Sequence, residues 1–157
     1  MKSRTRRVLA AAFIVGVFFL GGVYYARGVV DAQQQAPLQA TRMYTGADGQ
    51  SHVEKVSVKL SAVHGNAITV EQSEPVKVSS SYVVRVAPGV AEDWHNADAR
   101  RYVIPISGKA EVEVANGEKF SVEPGGIYIA EDLTGKGHKF RVVGDKEWVA
   151  LFVNFAQ

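Results

Sequence analysis

Residues 102–126 read YVIPISGKAEVEVANGEKFSVEPGG, and this stretch decides the fold. It opens with an apolar run, Tyr102 to Ile106, that ends in a Ser107-Gly108 turn. Ala110, Val112 and Val114 then alternate with Lys109, Glu111 and Glu113, the period-two pattern of a half-buried strand. Asn116-Gly117 is a tight-hairpin signal, because both residues tolerate positive φ. Phe120 and Val122 form the returning strand, and Pro124-Gly125-Gly126 closes it. Three strands in 25 residues leave no room for a helix.

The pattern extends in both directions. Upstream, Val56, Val58 and Leu60 alternate with Ser57 and Lys59, and His64-Gly65-Asn66 reads as a turn before Ala67 to Val70. Val76 and Val78 follow, then Tyr82, Val84 and Val86, punctuated by Pro88-Gly89. Downstream lie Ile127 to Ala130, His138 to Val143 and Trp148 to Phe155. Turns recur every eight to twelve residues, and no segment past residue 40 sustains a helical period. This spacing predicts an all-β sandwich or closed barrel rather than βαβ units. The strand Trp148-Val149-Ala150-Leu151-Phe152-Val153 is apolar on both faces, which predicts cover on both sides, one of them a further layer or subunit.

The first forty residues differ. Lys2, Arg4, Arg6 and Arg7 precede an uncharged run from Val8 to Ala26, and Arg27 ends it. A basic start and an apolar middle mark an export leader, and Val30-Asp31-Ala32 offers a cleavage site ahead of Gln33. The run is long enough for a spanning helix of about 17–25 residues. Cleaved leader and retained membrane anchor are both open over residues 1–32. Either places the remainder outside the cytoplasm, in the periplasm or anchored in the inner membrane with the barrel outside. Residues 33–42 read as a tether, leaving 43–157 for the barrel. Thr5-Arg6-Arg7-Val8-Leu9 is similar to a twin-arginine signal, but the run that follows is too apolar for that route.

The chain holds 18 Lys and Arg against 16 Asp and Glu. Five of the basic residues and only Asp31 of the acidic ones lie in 1–32, which leaves 13 against 15, a net of −2, for the rest. The basic character belongs to the leader, and no nucleic-acid partner is expected. There are no cysteines, hence no disulfide, thiolate nucleophile or Cys-ligated metal.

The order strand, Gly turn, hairpin, Pro-Gly turn, strand and His resembles the cupin superfamily. The blocks Tyr44-Thr45-Gly46-Ala47-Asp48-Gly49-Gln50-Ser51-His52 and Ala130-Glu131-Asp132-Leu133-Thr134-Gly135-Lys136-Gly137-His138 look like those of small bacterial single-domain cupins. The resemblance covers about residues 43–155. It implies a jelly-roll barrel, here preceded by an amino-terminal hydrophobic helix. It is uninformative about activity, because cupins include dioxygenases, isomerases, lyases and non-catalytic binders. It also implies pairing through the sheet, hence a homodimer as one possible partner state.

The resemblance further implies a metal site, which can be tested by position. Gly89, five residues and His95 match the first motif, and Gly108 matches its closing Gly. The second His position is Ala97, and the Glu position is Arg101. Gly135-Lys136-Gly137-His138 matches the second motif. Two of four ligand positions remain, whereas catalytic zinc and non-haem iron sites keep three protein ligands. A divalent metal held by His95 and His138 would need further ligands, from Glu131, Asp132, His52 or His64.

His138, Phe140 and Val142 share a strand face, so His138 is expected inside the barrel. His95 sits in the polar stretch 92–96, expected at a rim. Arg101 falls at a position the resemblance places inside, although alternation alone does not tell whether Arg101, Val103 and Pro105 or Tyr102, Ile104 and Ile106 face inward. Trp94 is expected to pack under a loop, and Arg100 to be solvated. Glu131-Asp132 reads as a turn pair ahead of general acid–base work. Thr134-Gly135-Lys136-Gly137 lacks the spacing and following helix of a phosphate loop. Two functions follow. The first is a barrel binding a small polar ligand through His95, Arg101 and His138. The second is a metal-dependent enzyme (isomerase, lyase or dioxygenase) with a remodelled site around His95 and His138.

Overall fold

The structure is a computed structural model that describes residues 36–65 and 68–156. The expected leader or anchor at 1–32, with its hydrophobic helix, and the first residues of the tether lie outside the described residues. From Ala36 onward the chain forms one compact unit.

Twelve strands lie among the described residues: β1 Gln39–Thr45, β2 Ser51–Ser57, β3 Ser61–His64, β4 Thr69–Gln72, β5 Val78–Val86, β6 Ala91–His95, β7 Arg101–Ser107, β8 Lys109–Glu113, β9 Lys119–Val122, β10 Tyr128–Glu131, β11 His138–Val143 and β12 Trp148–Phe155. One sheet runs β2-β1-β10-β7-β12-β5 and the other β6-β11-β8-β9, while β3 and β4 form a separate hairpin. The last eight strands divide between the sheets as β5, β7, β10 and β12 against β6, β8, β9 and β11, with β8 and β9 a hairpin within one sheet. Their order, β10-β7-β12-β5 and β6-β11-β8-β9, is the eight-stranded double Greek key of a jelly roll. The expected all-β jelly roll is therefore present in the hydrogen-bond pattern itself.

The quoted stretch supplies its centre. Ala110, Val112, Val114 and Val122 are buried, whereas Lys109 is exposed and Glu111 and Glu113 are half-buried. They pack with Met43, Ala130, Val142, Trp148 and Ala150. Trp148 is buried because its indole N–H has a partner: Nε1 donates to the Val122 carbonyl at 3.1 Å. Pro105 stands in a strand with neighbours on both sides, where a missing N–H would normally break a ladder. The β12 register shifts between Val149 and Ala150, opposite Pro105, and absorbs it.

The structure differs from the sequence reading in three places. β1 begins at Gln39, inside the stretch read as a tether. Ala40 and Thr41 are 1 % and 5 % exposed, because they pair with β2 and lie along β10. The polar segment 91–95 is a strand, not merely a rim, because β6 pairs with β11. The outer side of β12 is only half covered: Leu151 sits between Ile104 and Val83, and Val83 is 61 % exposed.

Candidate functional site: the barrel cavity

Between the two sheets lies a cavity of about 380 Å3, lined by residues from both. Val84, Val86, Phe120, Trp148 and Phe152 form much of its apolar wall. Glu92, His95, Asn96, Asp98 and Arg101, from β6 through the start of β7, supply polar groups together with Thr41, Tyr128 and His138. Mostly apolar walls with a few converging polar groups are the general form of a small-molecule site.

The alternation on β7 is resolved by the structure. Arg101 and Val103 line the cavity and Pro105 is buried, whereas Ile106 is 55 % exposed. Tyr102 meets Phe155 edge-on, with ring centroids 4.8 Å apart. Arg101 is 4 % exposed. Its Nη1 donates to the Tyr82 hydroxyl at 3.1 Å, and its Nε to the Ala99 carbonyl at 3.2 Å. The guanidinium carbon lies 4.9 Å from the Phe152 ring centroid, a cation–π contact.

His138 and His95 are cross-strand partners in β11 and β6. Their ring centroids are 4.3 Å apart and the rings are tilted by 51°. His138 is buried, and its Nδ1 lies 2.6 Å from Oδ2 of the wholly buried Asp132. A carboxylate accepts, so this contact puts the proton on Nδ1 and leaves Nε2 for the cavity side. His95 Nδ1 faces the Asp93 carbonyl at 2.8 Å, and its Nε2 is 3.2 Å from a Glu92 carboxylate oxygen. The turn before β11 fits only glycine at 137, which has φ +72°; a Cβ there would overlap the His95 carbonyl. Ser51 fixes the same turn by donating from Oγ to the Gly137 carbonyl at 2.5 Å.

The other expected candidates lie elsewhere. His52 bonds Asp48 at 3.0 Å, and His64 bonds Thr69 at 3.0 Å in the exposed β3–β4 hairpin. Trp94 is half-buried, with Lys136 Nζ 4.1 Å and Lys139 Nζ 5.1 Å from its ring centroid. Arg100 is not merely solvated, because it pairs with Glu131.

Glu131 and Asp132 do not act together as a turn pair. Glu131 is the last residue of β10 and faces Arg100 and Arg42, the latter at 2.7 Å, whereas Asp132 faces His138. Burial opposes ionisation of Glu131. The hydrogen bonds from Arg100 and Arg42 outweigh it and hold the carboxyl below its ordinary range. Period-two alternation carries the signal that separates these neighbours, because successive strand residues point to opposite faces. Tyr82, which binds Arg101, carries no comparable signal.

The residues present do not fit the metal set that the resemblance implies. Among the described residues, no group of three or more His, Asp or Glu side chains is placed to hold a metal. Asp132 is engaged with His138, and Glu92 with His95. Ala97 offers no donor, and Arg101 puts a guanidinium on the cavity wall.

No family model and no curated protein matches the chain. Solved structures do. A Bacillus subtilis oxalate decarboxylase matches at 27 % identity over 50 % of this chain and 22 % of its own, with a TM-score of 0.38. The cupin domain of Schizosaccharomyces pombe Cnp3 matches at 15 % identity over 78 % of this chain and 90 % of its own, with a TM-score of 0.43. The Staphylococcus aureus capsular polysaccharide assembling protein CapF matches at 16 % identity, covering 64 % of this chain and 30 % of its own, with a TM-score of 0.39. This chain thus spans about a fifth of the oxalate decarboxylase and under a third of CapF. The class that the strand order defines is an eight-stranded jelly roll, and that assignment rests on this chain's own topology.

Proposed function

We propose that this chain is an exported jelly-roll barrel that binds a small polar ligand inside the barrel, with His95, Arg101 and His138 as its polar contacts. One observation carries the reading: three side chains from three strands, two of them buried, converge on one cavity with otherwise mostly apolar walls. A core without a ligand role gains little from placing a guanidinium and two imidazoles there, since buried polar groups are costly unless fully paired. The alternative, a metal-dependent isomerase, lyase or dioxygenase, would have to build its site on His95 and His138 alone, since no third ligating side chain joins them among the described residues.

The experiment is an NMR fragment titration of residues 36–157, a unit with its own core. Shifts gathered on the Trp148 indole and on the His95 and His138 rings support the reading. Shifts confined to the outer sheet face overturn it. Export rests on the leader, and intact mass from membrane and soluble fractions tests it: cleavage ahead of Gln33 or retention of the anchor. The apolar outer row Val83, Leu151 and Ile104 suits a second copy of the chain, and sedimentation tests that homodimer.

A further inference from the structure

Arg101 is a buried cation without a buried counter-charge. Among the described residues its only carboxylate partner is Asp98, in the β6–β7 loop, whose side chain is 80 % exposed. Nη2 touches this carboxylate but makes no aligned hydrogen bond, although the atom is buried. Tyr82 and the Ala99 carbonyl satisfy Nη1 and Nε without supplying charge. A guanidinium on a largely apolar wall is costly to bury unless an anion accompanies it. Asp98, reaching in from solvent, occupies the place such an anion would take. Both residues line the cavity.

We propose that the cavity takes a small carboxylic acid with an apolar body. The acid's carboxylate would rest on Arg101 in the position Asp98 now holds. This assignment rests on the reading of the cavity as a ligand site and names the ligand class. A planar guanidinium matches a planar carboxylate by paired hydrogen bonds. A phosphate monoester, with its higher charge, would call for more cations than Arg101 alone. The body of the acid lies against Val84, Val86, Phe120, Trp148 and Phe152. About 380 Å3 is near the lower end for ligand sites, which suits a one-ring or branched aliphatic acid. Asp98 then serves as an internal stand-in that the ligand displaces.

The test titrates residues 36–157 with phenylacetate, phenylacetamide, 4-methylpentanoate and 4-methylpentanamide, read at the Trp148 indole N–H. Each acid is expected to bind at least tenfold more tightly than its amide. Arg101→Gln should abolish that ratio. Asp98→Asn, at a side chain that is 80 % exposed, should tighten the acids and not the amides, with its fold checked by the wild-type dispersion of the remaining amide shifts. Amides that bind as well as acids, a ratio that survives Arg101→Gln, or acid affinity not raised by Asp98→Asn would each overturn the assignment while leaving the cavity a ligand site. No response at Trp148 to any of the four would overturn the ligand-site reading as well.

Discussion

The Asp132 carboxylate has one polar partner among the described residues, the His138 ring, and its second oxygen is buried without one. Its work is to orient that ring. Asp132→Asn keeps the shape and removes the charge, and should lower stability by about 1.5–3 kcal/mol in urea unfolding, the range for a hydrogen bond to a charged group. A change within about 0.5 kcal/mol, as at an ordinary surface site, would contradict that role. Glu131 behaves differently. Its folded carboxyl titrates below its ordinary value because of Arg100 and Arg42, so its contribution is present above that value and lost as pH falls through the folded one. Stability should therefore decline as pH drops below about 4.5, and Glu131→Gln should flatten that decline in pH-dependent melting. An unchanged acid slope in the variant would contradict the triad of Glu131, Arg42 and Arg100. His95 and His138 are legible in the sequence through glycine spacing. The carboxylate partner of His138 is not, because Glu131 and Asp132 are chemically alike and only the direction in which each points separates them.

At the scale of elements, the hairpin β8–β9 and the strands beside it follow directly from alternation and turn residues. β6 does not. Glu92, Asp93 and His95 lack the apolar pattern of a strand, and their extended form is imposed by pairing with β11. β1 was hidden in the same way: Ala40 and Thr41 are small, and only their place between β2 and β10 buries them. The β6–β11 pairing depends on the turn ahead of His138. Gly137→Ala forces a side chain into a φ of +72° and against the His95 carbonyl. The left-handed conformation alone costs about 1–2 kcal/mol, so a stability loss of at least that size is expected. The ring-current shifts that His95 and His138 impose on each other should weaken too. Wild-type shifts in a stable Gly137→Ala protein would show that the turn does not set their distance.

For the whole molecule, charge and topology divide the chain. The five basic residues of 1–32 account for its positive balance, and the remainder carries a net of −2. From Ala36 onward the chain is a jelly roll with one interior cavity among the described residues that combines apolar walls with buried polar groups. Its resemblance to metal-holding barrels was legible in the glycine and histidine spacing, and so was the departure at Ala97 and Arg101. What spacing does not carry is the direction of Arg101, since alternation on β7 permits either face. The structure turns it inward, onto the cavity that His95 and His138 also line. The most direct test is metal analysis of purified residues 36–157, with melting followed in zinc, iron, nickel and manganese. The account predicts metal far below one equivalent and melting unchanged by any of the four. One tightly held equivalent, lost in His138→Ala without loss of the fold, would contradict it.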